Sequence, residues 1–516
     1  MQNQAYNRLQ AIFVSDKRWV VALAVLVLCL VTGAIGGWLI AYLSPLLTAA
    51  LVVALVGGLL MLRSTQFGFL ALIGVVCLLP FAALPVKIGF TPTFLNLVLA
   101  VLFAVWLARL VTGQQKEFVT SPLALPIVIF LFLASVSFVA GLAHASPTPN
   151  AVRRFAEIVL GIALFFVTVN CVRTRKELEQ LVLVIILAGF GAALIGVILY
   201  FLPRALTVRL LSALRIFDYP AGWGVLRFIE DDPLLPMRAI GTSVDPNILG
   251  GLLILVGSLT VPQLFTRRPL LKRALAAPIL AVMGLCLVLT FSRGSMAGLG
   301  CTLVLLAVVK YRRLLPVLVI AALIILLLPQ TREYALHFME GVQFQDLASK
   351  MRLGEYKDAF ILISRYPWIG VGFVGTPDID IYLGVSSLYL LIAEEMGLVG
   401  LGVFLVIMVI FFRYTWRSWK STAHDPRLEA ILLGLQTAVV GGLAGGILDH
   451  YLFSFPHAVA FFWLYIGLAV AAARLAEEAG PERPLTPSPP NLPLRGGGAK
   501  RSPPSQGGAR GGWAVH

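Results

Sequence analysis

Residues 274–309 read ALAAPILAVMGLCLVLTFSRGSMAGLGCTLVLLAVV, two apolar runs joined by a short turn that carries one arginine, Arg293. An apolar run of about 20 residues is long enough to cross the hydrocarbon core of a membrane as a helix. Runs of this kind recur along most of the 516-residue chain, which is 59% hydrophobic and only 13% charged. This pattern predicts an all-α, polytopic helical membrane protein and excludes a chain made of one or two soluble domains.

The apolar runs divide the chain into about fourteen candidate spans, or twelve if the first two are discounted together. Their approximate ranges are 19–43, 45–62, 67–86, 92–110, 122–143, 155–172, 178–201, 246–265, 274–291, 295–309, 314–329, 387–412, 428–448 and 452–473. They form a predicted transmembrane domain over 19–474, between an N-terminal segment, 1–18, and a tail, 475–516. The tail is rich in Pro and Gly and almost free of apolar residues, so we expect it to be disordered.

Basic residues give the spans an orientation. Lysine and arginine cluster in alternate short loops, for example at 173–176, 267–273 and 310–313, and again in the tail. Because short cytoplasmic loops carry an excess of these residues, both termini are predicted to be cytoplasmic. The formal net charge of +15 is then explained by loops that face anionic membrane lipid, and it does not predict a nucleic-acid partner.

Two long outer loops, at about 203–245 and 330–386, follow from this topology. The second is too long for a simple connection. Within it MRLGEYKDAFILISRYP (351–367) has apolar residues at helical spacing and a proline that ends the pattern. We therefore expect an amphipathic helix that lies on the outer leaflet, and LPRALTVRLLSALRIF (202–217) suggests a similar helix in the first loop.

Several arginines fall on the predicted outer face, against the usual bias: Arg238, Arg293, Arg352 and Arg365. For each of them taken alone, an interfacial side chain that reaches lipid headgroups is as good an explanation as a role in substrate binding. Together they suggest an anionic substrate that carries phosphate, because guanidinium groups bind phosphate oxygens with two parallel hydrogen bonds. A lipid-linked diphosphate is such a substrate, and the glycines of GVG (370–372) permit a close backbone approach.

The order of short motifs resembles the bacterial O-antigen ligase and polymerase family. It consists of R-x₂-G-T-x₃-P-N at 238–247, FSRG at 291–294, R-x₃-Y-x-D-A-x₆-YPWIGVG at 352–372 and SSLYLLIAEEMGLVG at 386–400. The resemblance is firmest over about 236–412. It implies a GT-C-like, metal-independent fold without a cofactor, in the bacterial inner membrane. It also implies transfer of glycans from undecaprenyl diphosphate on the outer face, with other polysaccharide-assembly proteins as further partners.

The resemblance also implies roles for single residues. The two phosphate-binding arginines of the family fall on Arg293 and on Arg238, with Arg215 as a competitor for the second place. Arg352 matches the arginine that opens the amphipathic helix. The candidates for substrate binding, beside the arginines that hold the diphosphate, are Arg352, Arg215, Arg365, Asn247 and Tyr389.

One departure from the family pattern bears on the reaction. Ligases of the family typically have a histidine in an H-N-x-Y-L element after the large loop, whereas this chain has Ser386 and Ser387 there. An unactivated serine is not a general base near neutral pH, so the departure favours a polymerase over a ligase that transfers glycan to lipid A-core or protein. A transporter is the alternative from another class, but the chain shows no convincing internal repeat of the transporter kind.

The proton acceptor remains open at this stage. The possibilities are Asp245, Asp378, Asp380, Glu394, Glu395 and the pair Asp449–His450. We select Asp245 and Glu394 as catalytic candidates. Glu394 and Glu395 lie about two turns into a span, so we expect at least one of them to face the protein interior. Glu394 is equally well explained by a hydrogen bond that fixes helix packing, and His450 by an interfacial position. The departing diphosphate is a good leaving group, so positioning and charge stabilisation without a strong base are a further possibility.

Overall fold

The computed structural model of the chain describes residues 56–61, 63–85, 89–115, 117–327, 347–375 and 384–478, together with three isolated positions closer to the N-terminus. This part of the chain is built almost wholly of α-helices. In chain order they are α1 (Thr65–Leu78), α2 (Phe94–Val111), α3 (Ala124–Gly141), α4 (Pro149–Cys171), α5 (Arg175–Phe201), α6 (Arg204–Ala213), α7 (Pro246–Phe265), α8 (Arg273–Leu289), α9 (Arg293–Val309), α10 (Leu314–Leu327), α11 (Leu347–Arg365), α12 (Leu388–Trp419), α13 (Pro426–Gly445), α14 (Tyr451–Ser454) and α15 (Pro456–Glu478).

The all-α, polytopic architecture predicted from the apolar runs is confirmed. Within the described residues seven helices are long and apolar enough to cross a membrane, namely α2, α3, α5, α7, α12, α13 and α15. The helices α1, α8 and α9 are apolar but shorter. Almost all of the predicted spans 19–43 and 45–62, and the tail beyond Glu478, lie outside the described residues.

A small hairpin interrupts the helices in the segment predicted as the first outer loop. Strands β1 (Arg227–Phe228) and β2 (Met237–Arg238) pair antiparallel, with Arg227 opposite Arg238. The next amide, of Ala239, donates a hydrogen bond of 2.8 Å to the carbonyl of Leu289 at the end of α8. The loop is thus folded onto the bundle, and it carries Arg238 to the turn between α8 and α9.

Glycines allow α9 and α13 to pack in direct backbone contact. Gly294 and Gly298 of α9 face Gly441 and Gly445 of α13, and a Cβ atom added to Gly298 would lie 2.6 Å from the Gly441 carbonyl oxygen. Small residues four apart permit this approach between helices in a membrane, where packing rather than the hydrophobic effect drives association. The first turn of α9, with Arg293, is consequently fixed against the last turn of α13.

The connections between helices meet at two opposite ends of the bundle. At one end the loops rich in basic residues are joined by ion pairs. They are Arg427–Glu179 (3.0 Å), Arg175–Asp425 and Lys310–Glu429. At the other end lie the hairpin, the α8–α9 turn, the start of α12 and the chain between α13 and α15. The alternation expected from the basic residues is therefore present in the described helices.

Helix α11 is found where the sequence predicts an amphipathic helix. Ala359 and Leu362 are fully buried, and the helix packs against α12. Phe360 and Ile361 are exposed on its other side. This leaves Arg352, at the beginning of the helix, close to the end of the bundle that holds the hairpin.

Candidate functional site

Arg238 is held at the α8–α9 turn by two hydrogen bonds of its guanidinium group. Its Nε donates to the carbonyl of Thr290 (2.8 Å) and its Nη2 to Oδ1 of Asn247 (2.9 Å). Burial lowers the pKa of Arg238, while the carboxylates of Asp245 and Asp449 act in the opposite direction. Arginine stays protonated in proteins, so a partly buried positive charge is oriented at this turn.

Arg293 begins α9 three residues after Thr290, so Arg238 is hydrogen-bonded to the turn that leads into Arg293. Ser292 caps the helix, with its Oγ accepting a hydrogen bond from the amide of Ser295 (3.4 Å). Arg293 is half-buried. The two arginines that the resemblance implies for phosphate binding are therefore placed at the same turn, Arg238 by its hydrogen bond to Thr290 and Arg293 as the first residue of the next helix.

Two strained residues shape this region. Val244 and Phe291 have φ values of 62° and 54°, in the left-handed region that a β-branched or bulky side chain rarely occupies. Each precedes the residue that caps a helix, Asp245 for α7 and Ser292 for α9. Strain of this kind costs of order 1–3 kcal/mol and is retained where the surrounding structure imposes it, often at functional sites.

The N-termini of α7 and α9 lie side by side at the strained turns. Oδ1 of Asp245 accepts hydrogen bonds from the amides of Asn247 (2.7 Å) and Ile248 (3.3 Å). A Cβ atom added to Gly250 of α7 would lie 2.7 Å from the Cβ of Ser295 in α9. Since the N-terminus of a helix carries partial positive charge, the two helices add to the positive potential of the arginines.

Asp449 and Arg352 extend the charged cluster. Asp449 is buried in the chain between α13 and α14, and its Oδ1 accepts a hydrogen bond from the His450 amide (2.8 Å). Burial and the neighbouring Asp245 raise the pKa of Asp449 to about 7, against the opposing effect of Arg352. We call Arg238, Arg293 and Arg352 the arginine cluster.

A polar cavity of about 310 Å³ opens at the same end of the bundle. Its walls come from α4, α11, the start of α12 and the chain around α14. The polar side chains that line it are Arg154, Glu355, Ser386, Glu395, His450 and Ser454. Sequence reasoning misses Arg154 here, because nothing in its local sequence distinguishes it from an ordinary interfacial arginine.

The segment that departs from the family pattern forms part of this cavity wall. The amide of Ser386 donates to Oε2 of Glu355 (2.9 Å), and the hydroxyl of Tyr356 donates to the Ser386 carbonyl (3.3 Å). The amide of Leu388 donates to the carbonyl of Asp449 (3.0 Å). These bonds tie the start of α12 to α11 on one side and to the chain that carries His450 on the other.

The YPWIGVG segment lies against a break in α12. Gly397 has φ 71° and ψ 178°, which interrupts the helix. The amides of Val371 and Gly372 donate to the carbonyls of Glu394 (2.8 Å) and Glu395 (3.0 Å), and so satisfy acceptors at the break. A Cβ atom added to Gly370 would lie 2.6 Å from the Glu395 carbonyl oxygen. The glycines of this motif thus permit an approach to the backbone of α12, where the sequence suggested an approach to a substrate.

The other candidate residues from the sequence occupy different environments in the structure. Glu394 is 1% exposed and is not one of the residues that line the cavity, whereas Glu395 is. The hydroxyl of Tyr389 donates to the Leu443 carbonyl (2.9 Å) and joins α12 to α13. Arg365 is exposed at the far end of α11, about 20 Å along the helix from Arg352.

Among the described residues no hydrogen bond links Arg215 to the α8–α9 turn, to which Arg238 is bonded. It is exposed in the turn Leu214–Phe217, whose last carbonyl accepts a hydrogen bond from the amide of Ala83 (2.9 Å). Between the two competitors for the second phosphate-binding place, the structure therefore joins Arg238 to the α8–α9 turn. Asp378 and Asp380 lie outside the described residues.

Residues 278–405 match the family model described as O-antigen ligase. The resemblance to the O-antigen ligase and polymerase family is confirmed. The matched segment runs from α8 into α12 and includes Arg293, Arg352, the YPWIGVG segment and Ser386, whereas Arg238 and His450 lie outside it. Comparison with curated proteins gives no match. The family match supports a function of the O-antigen ligase or polymerase type in a membrane, with a lipid-linked polysaccharide as substrate.

Proposed function

We propose that the protein is a glycosyltransferase of the bacterial inner membrane that polymerises oligosaccharide repeat units linked to undecaprenyl diphosphate. The observation that carries this proposal is the hydrogen bond of Arg238 to the turn that leads into Arg293, at the end of the bundle where the polar cavity opens. That end of the bundle faces the outside in the orientation given by the basic loops, with both termini in the cytoplasm. A GT-C-like helical architecture belongs to the same proposal.

The arginine cluster suits a diphosphate. Two guanidinium groups offer forked hydrogen-bond donors that match phosphate oxygens, and the N-termini of α7 and α9 add partial positive charge. Arg238 is already oriented by Thr290 and Asn247. Preorganised donors of this kind cost little reorganisation when the ligand binds.

In the proposed reaction an acceptor hydroxyl attacks the anomeric carbon of the donor. The bond between that carbon and the diphosphate oxygen breaks, and the lipid diphosphate departs with the electron pair. Arg238 and Arg293 stabilise the negative charge that develops on the leaving oxygen, which is the largest contribution in many enzymes of this general kind. This role needs no metal ion, because the guanidinium charges lie at the leaving group.

The Ser386–Ser387 departure favours polymerisation over ligation to lipid A-core or protein. A transporter is less well supported, although α12 is broken as transporter helices often are. The break at Gly397 is closed by the backbone of Val371 and Gly372. Its carbonyls are therefore occupied by protein hydrogen bonds and do not line an ion or substrate path.

The test uses purified protein in liposomes, supplied with the lipid-linked repeat unit and no other acceptor. We expect a ladder of longer lipid-linked chains when the products are sized on a gel. Extension only after lipid A-core is added would show a ligase and refute the polymerase. Absence of transfer under both conditions, with folded protein, would refute glycosyl transfer and favour transport.

The phosphate role of Arg293 is tested by Arg293→Lys in the same assay. Lysine keeps the charge and loses the fork, so we expect a loss of about 10²–10³-fold in transfer rate. The matched control is Arg312→Lys, an exposed arginine at the opposite end of the bundle. Equal turnover of Arg293→Lys and the control, at equal protein level, would exclude the phosphate role.

A further inference from the structure

His450 enters the polar cavity from the chain between α13 and α14. It lines the cavity together with Ser386, which lies two residues before the first residue of α12. Its ring lies nearly parallel to that of Phe455, with centroids 6.1 Å apart, which orients the imidazole. The two loops are joined by the bond from the Leu388 amide to the Asp449 carbonyl. An imidazole is thus held at the cavity wall by elements distant in sequence.

The hydrogen bonds of Ser454 define the form of this imidazole. Its Oγ lies 2.6 Å from Nδ1 of His450 and donates to the His450 carbonyl (3.1 Å). A serine hydroxyl has one proton, so with that proton on the carbonyl, Oγ accepts a hydrogen bond from Nδ1–H. The neutral ring then carries its lone pair on Nε2, which has no hydrogen-bond partner among the described residues.

Arg154 fixes this arrangement from α4. Its Nε and Nη2 donate to the carbonyl of Ser454, at 3.2 and 2.8 Å. The chain around α14 is therefore fixed on both sides of His450. Arg154 binds the carbonyl of Ser454, which follows His450, and the start of α12 binds the carbonyl of Asp449, which precedes it. Such support keeps a ring nitrogen in one position, as proton transfer requires.

Charged groups face His450 from α4, α7 and α11. Burial lowers the pKa of His450, so the ring is neutral near pH 7. The charged groups that modify this effect are, in decreasing order, Glu355, Arg154, Asp245 and Arg352. Asp449 accepts from the His450 amide, and Glu395 lines the same cavity.

We propose that His450 is the general base of the transfer reaction, and that Ser454 and Arg154 position it. This inference rests on the proposed function. Nε2 takes the proton of the acceptor hydroxyl while the oxygen forms its bond to the anomeric carbon. The glycosidic bond to the diphosphate breaks in the same step, and the lipid diphosphate leaves with the electron pair. The imidazolium ion then releases its proton to water, which restores the neutral ring.

The structure distinguishes His450 from the carboxylates favoured by the sequence. Glu394 is buried and is not one of the residues that line the cavity, and Oδ1 of Asp245 is occupied by two amides of α7. Oε2 of Glu355 accepts from the Ser386 amide. Glu395 is the remaining group of basic character at the wall, and it is included in the test for that reason.

The experiment compares His450→Ala, His450→Gln and Glu395→Gln with the wild-type protein in liposomes that contain the lipid-linked repeat unit. The matched control is His144→Ala, an exposed histidine on the connection between α3 and α4 at the same end of the bundle. Transfer rate is measured from pH 5 to 9, and binding of the lipid-linked donor is measured separately. Thermal unfolding in detergent identifies variants that fail to fold.

We expect both His450 variants to lose about 10²–10⁴-fold in rate, the usual contribution of a general base, while donor binding is unchanged. Added imidazole should restore part of the rate of His450→Ala and none of that of Arg293→Lys. The wild-type transfer rate should fall as the pH decreases below neutrality, because the imidazole becomes protonated. This acid limb of the pH–rate profile should be absent in His450→Gln. Ser454→Ala should shift the limb and lower the rate less than His450→Ala does.

Other outcomes would overturn the proposal. If both His450 variants match His144→Ala in rate, His450 is not the base. If Glu395→Gln instead loses the rate and the acid limb, the base is Glu395. If the wild-type protein transfers no glycan to any acceptor, the proposed function itself fails, and the role of His450 fails with it.

Discussion

The amide nitrogen of Val371 lies 2.8 Å from the carbonyl oxygen of Glu394 and donates a hydrogen bond to it. This bond joins the YPWIGVG segment to the part of α12 that precedes the break at Gly397. A second bond, from Leu398 N to the Pro367 carbonyl (2.7 Å), joins the part that follows it. Backbone groups inside a membrane protein must find partners within the protein, so the motif supplies partners that the broken helix lacks.

Replacement of Gly397 should therefore destabilise the protein. Its φ of 71° is unfavourable for alanine, and an added Cβ atom would lie 2.6 Å from the Ile369 amide nitrogen. We expect Gly397→Ala to lower the free energy of unfolding by about 1–3 kcal/mol, measured by denaturant titration in detergent. Gly402→Ala is the control, because an added Cβ atom there meets nothing within 4 Å. Equal stability of the two variants would contradict the proposed role of the break.

The contact between α9 and α13 predicts a second pair of variants. An added Cβ atom at Gly298 would lie 2.6 Å from the Gly441 carbonyl oxygen, a backbone atom that cannot rotate away. Gly298→Ala should separate the helices, lower stability by about 1–3 kcal/mol and reduce glycan transfer, because Arg293 moves with α9. Gly300→Ala on the same helix has open space around it and should retain both properties. A loss of stability of similar size in Gly300→Ala would mean that alanine destabilises α9 at either position, and that the contact with α13 is not the cause.

The bond between Arg238 and Asn247 should be visible as energetic coupling. Asn247→Ala removes one of the two anchors of the guanidinium group, and hydrogen bonds to charged groups contribute about 1.5–3 kcal/mol. We expect this change to weaken donor binding in the wild-type protein by about tenfold or more. In an Arg238→Lys background the same change should have little further effect, since the fork is already lost. Additive losses in the double variant would show that the two residues act independently.

Asp449 predicts a pH dependence of stability. Its carboxyl keeps the proton up to about pH 7 in the folded protein, whereas the ordinary pKa is 3.8. Between these two pKa values the folded state holds a proton on Asp449 that the unfolded state has released. The contribution of this group therefore lowers the free energy of unfolding as the pH rises, until Asp449 is ionised in both the folded and the unfolded state. Asp449→Asn should be more stable than wild type at pH 8, and the difference should shrink towards pH 4.

The control for the Asp449 experiment is Asp218→Asn. Asp218 is exposed and has a φ of 63°, a conformation that asparagine also tolerates. Unfolding of both variants is followed at several pH values in the same detergent. A difference between Asp449→Asn and wild type that does not change with pH would contradict the raised pKa.

Local sequence was sufficient for the helices and for part of the site. The apolar runs predict α7, α8 and α9 almost to the residue, because a chain in lipid must satisfy its backbone hydrogen bonds within each segment. The helical spacing of 351–367 predicts α11. The motif that contains Arg238 and Asn247 is short and local, and the structure joins these two side chains by a hydrogen bond.

The choice between Glu394 and Glu395 could not be made from the sequence. Adjacent residues of a helix point in directions about 100° apart, and the rotation of α12 about its axis depends on what it packs against. Here the break at Gly397 and the bonds from Val371 and Gly372 fix that rotation. Glu395 consequently lines the cavity and Glu394 does not.

The sequence by itself determined the membrane-spanning helical architecture, the alternation of the loops and the place of Arg293 between two apolar runs, since each depends on residues close together in the chain. Only the tertiary structure brought His450 and Arg154 to the same cavity as Ser386. Their meeting depends on the packing of α4, α12 and α14, and a hydrophobic pattern specifies that a helix has a buried face without specifying which distant helix covers it. The proposed base therefore comes from an element that no local motif marks.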